Sequence, residues 1–404
     1  MSVGVRPAPP RLRPLAVYGA VTAFAMIGLQ QALYGPAIPQ LRAEHGITAA
    51  GAAAALSVHF AGAILGVLAM PLARRFGVPD GRFMSWSLVG VAVGCLAFPL
   101  APGWPLALLA AFVAGVGFGG LDGGVNQIFT EVYAEGGHGM LNLLHGCFGV
   151  GAVAGPIAIG LLPGYGWSFV GCALLALLAV PALRTASGAR SAPTTAAGTP
   201  PAPLAARRRL GSLGGMVSLG FLLFFMLHVG LETGAAGWET THLIATGLSE
   251  STAATATSGF WLAFTASRFA VVPLCRHYSA RAIVIACTGL TVLAATATLL
   301  DGLAPIAYAL LGVAVGPLFP TGLAWLAQHR PALTPTVVAL SMVGGIALPP
   351  AIGLAVNGFG PAAIAWAMII LAVAGLGTVI GLARVRRTGL PVAAPAVEAD
   401  APQI

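Results

Sequence analysis

The chain has 404 residues, 58% of them hydrophobic and only 7% charged, where a soluble fold carries about 25% charged residues. That excludes a solvent-facing enzyme, and it excludes disorder, which needs a chain poor in apolar residues. The 19 positive charges are all Arg and outnumber 11 acids, for a formal net charge of +8; their placement decides between a nucleic-acid partner and a membrane topology.

Apolar stretches of about 20 residues, the length at which a helix crosses the hydrocarbon core, recur twelve times. They run roughly 15–40, 49–72, 83–101, 105–131, 139–163, 165–183, 213–238, 251–275, 280–300, 303–328, 333–357 and 360–383. Stretches this long and continuous predict helices rather than barrel strands, because lipid obliges each span to satisfy its own backbone. The expected fold is an all-α polytopic membrane protein. With residue 1 inside, the Arg residues before the first span and after the second, sixth, eighth, tenth and twelfth all fall on one side. Arg42, read as lying in an outer loop, and Arg268, inside the eighth span, are the exceptions. This positive-inside asymmetry predicts cytoplasmic termini in a bacterial inner membrane and accounts for the basic charge without nucleic acid. The first span is too long for a signal-peptide apolar region and is expected to be retained. Cys95, Cys147, Cys172, Cys275 and Cys287 lie inside apolar spans without metal spacing and are read as packing residues.

Residues 184–212 have the Ala, Pro, Thr, Ser and Arg content of a solvated linker. It divides the chain into an N-terminal six-helix bundle (1–183) and a C-terminal one (213–388), with a tail at 389–404. The halves resemble each other: Pro71-Leu-Ala-Arg-Arg-Phe-Gly77 matches Pro273-Leu-Cys-Arg-His-Tyr-Ser279, and Gly151-Ala-Val-Ala-Gly-Pro156 matches Gly345-Ile-Ala-Leu-Pro-Pro350. Such a duplication is the architecture of two bundles that rock about a site near the bilayer midplane.

Polar groups inside spans are costly to insert and mark function. In the fourth span Gly115, Gly119, Asp122 and Asn126 share one helical stripe, whose glycines admit a neighbouring helix closely. Glu131, at the end of that span, is read as interfacial. In the fifth, Asn142 and His145 share a stripe with Gly146 and Gly149. In the seventh, His228 lies one turn before Glu232, and Gly230, Gly234 and Gly237 make that helix easy to interrupt. Trp238 and Trp261 offer faces for a sugar ring, Gln30, Gln31 and Tyr34 form a neutral polar patch in the first span, and Arg268 needs a carboxylate or carbonyl partner. Asp122 and Glu232 are the candidate proton-coupling groups. The other residues line the candidate substrate path, and Arg268 serves gating or charge pairing.

The run Gly117-Phe-Gly-Gly-Leu-Asp122-Gly-Gly-Val-Asn126, followed by Leu141-Asn142-Leu-Leu-His145, resembles the major facilitator superfamily and, within it, the fucose permease-like sugar:proton symporters. Val229-Gly-Leu-Glu232-Thr with Trp238, and Gly259-Phe-Trp261 with Arg268, are similar too. The resemblance implies two six-helix bundles, Asp122 as the protonatable carboxylate and Asn126 beside the substrate path. Two positions depart from the family: its first-helix acid falls at Gly35, and Arg74 stands at the Asp position of the superfamily's loop signature after the second helix.

The expected function is therefore secondary transport of a small polar solute, a sugar, by proton symport and alternating access. The alternative is a proton-coupled exporter of drugs or metabolites, because Gly151-Ala-Val-Ala-Gly155-Pro156-Ile-Ala-Ile-Gly160 approaches the Gly-Pro signature of drug antiporters. The chain lacks HExxH, GxSxG, paired Cys/His spacing and GxxxxGK[ST], which argues against an enzyme or a primary pump. The expected partners are the lipid bilayer, the solute and a proton, with sodium left open. No cofactor, metal or nucleic acid is expected, and the chain is read as a monomer.

Overall fold

The computed structural model describes residues 12–132, 138–188, 212–330 and 333–385; residues 1–11, residues 189–211 of the expected linker and the whole of the expected tail 389–404 lie outside the described residues. The helices of the first half are α1 (Pro14–His45), α2 (Ala49–Arg75), α3 (Asp80–Leu100), α4 (Trp104–Val132), α5 (His138–Leu161) and α6 (Tyr165–Arg184). Those of the second are α7 (Ser212–Ala245), α8 (Glu250–Leu274), α9 (Ala280–Ala297), α10 (Ala304–Val315), α11 (Leu318–Ala327), α12 (Thr334–Phe359) and α13 (Ala363–Val385). Among the described residues, eleven stretches are long and apolar enough to cross a membrane. The remaining expected span, the eighth, is α8, of full spanning length but with a hydroxyl-rich first half at Ser251, Thr252, Thr255, Thr257 and Ser258.

Two local expectations are corrected. The outer loop expected at Arg42 is the last turn of α1, which runs through Pro36 and Pro39 and ends at Gly46, whose φ of 61° supplies the left-handed C-cap. The interruption expected at Gly230, Gly234 and Gly237 is absent, since α7 is continuous from Ser212 to Ala245. Those glycines make room for Leu348, for Ile352 and Met368, and for Leu56 respectively. The broken span is the tenth, which divides between α10 and α11 at Gly316-Pro317. Proline, unlike glycine, removes a backbone donor outright.

Close approach through small residues organises each half, as expected where lipid offers helices no hydrophobic reason to associate. Gly62 and Gly66 of α2 meet the backbone of α4, and Gly115 and Gly119 of α4 meet His59 and Ala63 of α2 in return. On α1 and α5, Gly28 and Gly151 make the same reciprocal contact. The halves meet along α2 with α12 and along α5 with α8. These pairings exchange the second helix of one half with the fifth of the other, as the duplication requires.

Hydrogen bonds between the halves gather at one end of the molecule. Ser57 Oγ donates to the Ile346 carbonyl at 2.6 Å, Asn357 Oδ1 accepts from the Ala49 N–H at 3.0 Å, and Ser251 and Ser258 donate to the carbonyls of Gly160 and Val153. This closed end is opposite the one that carries most of the Arg residues. At the Arg-rich end, Arg74 bonds both oxygens of Asp80 at 2.8 and 2.9 Å and both of Glu131 at 2.6 and 3.1 Å. One guanidinium fork thus ties the α3 N-terminus to the end of α4.

The α2–α4 contact can be tested by filling it. A Cβ at Gly119 would strike the Ala63 carbonyl oxygen, whereas one at Gly123 would meet Val67 no closer than 3.5 Å. Gly119→Val should cost about 1–3 kcal/mol and lower the thermal midpoint in detergent, with Gly123→Ala near wild type. Equal midpoints for the two would contradict the packing described.

Candidate functional site

The Gly-lined face of α4 sets Asp122 one turn from Asn126, and Asn126 Nδ2 donates to Asp122 Oδ1 at 3.0 Å. Both side chains are half-buried, beyond the point where the glycines hold α4 against α2. Asp122 thus sits on a rigid element with one oxygen engaged by the amide.

On α7, His228 Nε2 lies 3.5 Å from Glu232 Oε2 across one helical turn. Arg268 enters from α8, its guanidinium 4.2 Å over the Phe264 ring and its Nε donating to the Gly316 carbonyl at 3.2 Å. The sequence explains that carbonyl. In an uninterrupted helix the Gly316 oxygen would accept from residue 320, but Pro320 has no N–H. Arg268 supplies the missing donor and is thereby held in place at the break of the tenth span. Its charge is in electrostatic reach of Glu232 in its own half and of His145 on α5 in the other. His145 is exposed, with its ring edge-on to Phe24 at 5.9 Å. Arg268, Glu232, His228 and His145 therefore form one polar cluster that spans the two halves.

Other expected site residues lie elsewhere. Gln30 and Tyr34 are buried inside the first half, where Tyr34 Oη stands 3.5 Å from His59 Nδ1; Gln31 is half-buried. Trp238 and Trp261 are packed in the core of the second half, and the Trp238 indole donates to the Pro349 carbonyl at 2.9 Å. Neither ring has a face open in this state. Asn142 falls on α5, but its side chain lies outside the described residues. At Gly35 a Cβ would meet the Ala236 carbonyl of α7, so α1 has no room there for the acid that the resemblance would place.

Sequence reasoning missed a second polar group on α7. Glu239 is completely buried, Thr240 Oγ1 and Thr257 Oγ1 are 2.8 Å apart, and His242 Nδ1 is 3.1 Å from Tyr308 Oη. The expected span ended at Trp238, which put Glu239 in a loop. The available signal was its spacing: on a longer helix Glu239 follows Glu232 by two turns and falls on the same face.

The Major Facilitator Superfamily profile matches residues 20–243. The chain belongs to that superfamily, and it is a transporter rather than an enzyme. No curated protein matches in sequence. Among solved structures it is similar to a variant of the nucleoside transporter NupG, with a TM-score of 0.75 at 12% identity, covering 92% of this chain and 99% of that one. NupG itself gives 0.72 at 11% identity, covering 93% and 100%. A variant of the E. coli fucose:proton symporter FucP gives 0.62 at 17% identity, covering 93% and 99%. At these identities the likeness is one of fold.

The cluster makes a direct prediction. Arg268→Ala leaves the Gly316 carbonyl without its donor and removes the positive charge within electrostatic reach of Glu232, whereas Arg268→Lys keeps the charge but loses the planar fork. Solute uptake should fall at least tenfold in the Ala variant and be only partly restored in the Lys variant, measured in proteoliposomes at matched protein content. Wild-type uptake in both would remove Arg268 from the site.

Proposed function

We propose that the chain carries a small polar solute with a sugar-like ring across the bacterial inner membrane by proton symport, through alternating access of its two halves. The observation that carries this reading is the polar cluster of Arg268, Glu232, His228 and His145. It bridges the halves of a transporter closed at one end, with the Asp122–Asn126 pair on the adjoining α4. A solute rich in hydroxyls suits this mixture of acid, amide, imidazole and guanidinium groups. Support for a sugar-like ring comes from the fucose and nucleoside transporters that share the fold. The Arg-rich end is taken to face the cytoplasm, with both termini there, so the closed end faces outward and the structure is in an inward-facing state.

Asp122 is assigned the coupling proton. Protonation removes a charge that would otherwise have to cross the occluded state in a low-dielectric setting, and the Asn126 amide on its other oxygen holds the carboxyl in one orientation. Glu232 lies within electrostatic reach of Arg268 and contributes either to coupling or to solute recognition. The export reading draws on the Gly-Pro run of α5. In the structure, Gly151 and Gly155 of that run seat α5 against Ala25, Leu29 and Ala32 of α1, a packing role that favours neither direction of transport.

The test is Asp122→Asn in proteoliposomes, with L-fucose and uridine as probes. The amide copies the protonated acid in shape and charge, so accumulation driven by an imposed pH gradient should be lost while counterflow without a gradient persists. Gradient-driven accumulation at the wild-type rate and pH profile would contradict the assignment.

A further inference from the structure

Glu239 is the one acid among the described residues that is fully buried with both carboxyl oxygens lacking a hydrogen-bond partner. It is distinct from the Arg268 cluster: it lies two helical turns beyond Glu232 on α7, about 9 Å short of the helix end at Ala245 by the helical rise, toward the closed end. An ionised carboxylate taken out of water without a donor or counter-charge costs several kcal/mol or more. A group in this position therefore holds a proton or a cation.

The surroundings favour a proton. Thr240 and Thr257 bond each other, Thr257 also bonds the Ala253 carbonyl at 3.2 Å, and Tyr308 bonds His242, while the Thr241 hydroxyl is buried without a partner. No group of three or more His, Cys, Asp or Glu side chains that could hold a metal ion occurs among the described residues. Tyr308 of α10 is the titratable side chain within electrostatic reach of Glu239. Its partner His242 sits on α7 itself, within reach of Asp301 at the start of the tenth span. From α8, Thr257 reaches Thr240, the next residue of α7. The apolar core of this half includes Ala235, Phe260 and Ile352, and Trp261 of α8 brings a buried indole N–H that has no partner.

A mechanical link joins this acid to the closed end. Trp238, its neighbour in sequence, is bonded to the Pro349 carbonyl of α12, and α12 is bonded to α2 through Ile346 and Asn357. Separation of α12 from α2 therefore acts on the segment of α7 that carries Glu239. We propose that Glu239 is a proton-carrying site of the second half, holding a proton as the neutral acid while this end is closed and exchanging it with water when the end opens. The step balances simply: the carboxyl O–H breaks, the proton passes to water at that end, and the carboxylate left behind is solvated by the water that has entered. The proposal rests on the proton-symport reading and adds to it a further proton-carrying group, placed near the opposite end from Asp122.

Infrared difference spectroscopy on the full chain in lipid nanodiscs reads such a proton without needing the solute. Wild type should show the C=O band of a protonated carboxylic acid in apolar surroundings at neutral pH. Glu239→Gln should lose that band and Asp122→Asn should keep it. Ser57→Trp, which wedges α2 from α12, should make the band titrate with pH. If Glu239→Gln fails to fold, Glu239→Asp must shift the band, since the acid is retained on a shorter stem. A band unchanged in either Glu239 variant, one that never titrates in the wedged protein, or one that responds to sodium rather than to pH would overturn the proposal. Transport of L-fucose and uridine by the same samples is scored separately. If neither is carried, the sugar-like reading fails while the assignment of Glu239 stands or falls on the band.

Discussion

A helix in lipid has no water to satisfy the backbone groups left over at its ends and at its prolines, and the way this chain satisfies them decides how its two halves meet. Ile346 cannot receive the usual donor because Pro350 lacks an N–H, and Ser57 of the other half supplies one. The Ala49 N–H, at the start of α2, has no intrahelical acceptor and finds Asn357. Gly160 sits in the last turn of α5, where carbonyls are unpaired, and accepts from Ser251. Three of the contacts that close one end are thus repairs to the backbone of one half made by the other. Opening that end is possible only if water takes over the same groups, which ties the conformational change to solvent access.

The same rule positions the functional side chains. Pro320 orphans the Gly316 carbonyl, and Arg268 is anchored by filling the gap; the remainder of its guanidinium is left to act on Glu232 and His145. The break in the tenth span is therefore both a structural defect and the mount for the cation of the site. Glycine acts differently. On α2, α4, α1 and α5 it removes side-chain bulk so that backbones touch, and it fixes where Asp122 and Asn126 emerge without disturbing helical hydrogen bonding.

This difference between proline and glycine explains what could be read in advance. Twelve spans, the Arg asymmetry and the repeat were legible because they depend on composition over long windows, where single residues matter little. Even α8, with its hydroxyl-rich half, was recognisable by length; its Ser251 and Ser258 turn out to be cross-half donors. The Asp122–Asn126 and His228–Glu232 pairs were legible because helical spacing alone brings them together. The position of the helix break was misread, since Gly230, Gly234 and Gly237 weaken a helix only when nothing packs on them, and here neighbouring side chains do. Glu239 was hidden by a span boundary set at Trp238, seven residues short of the end of α7 at Ala245. Arg74, an oddity in the sequence, became intelligible only when Asp80 and Glu131 appeared on either side of it. Contacts between residues far apart in the chain have no local signature, and the cross-half hydrogen bonds belong to that class.

The central claim is that the halves close at one end through these cross-half bonds and open there as the other end closes. Distances between spin labels measure this directly. One pair, at Leu162 and Ser249, brackets the closed end, and a second, at Arg75 and Arg276, brackets the Arg-rich end. Loosening the closed end with Ser57→Trp in lipid nanodiscs should lengthen the first distance and shorten the second in the same sample. Distances that stay fixed, or that lengthen together at both ends, would contradict alternating access built on these contacts.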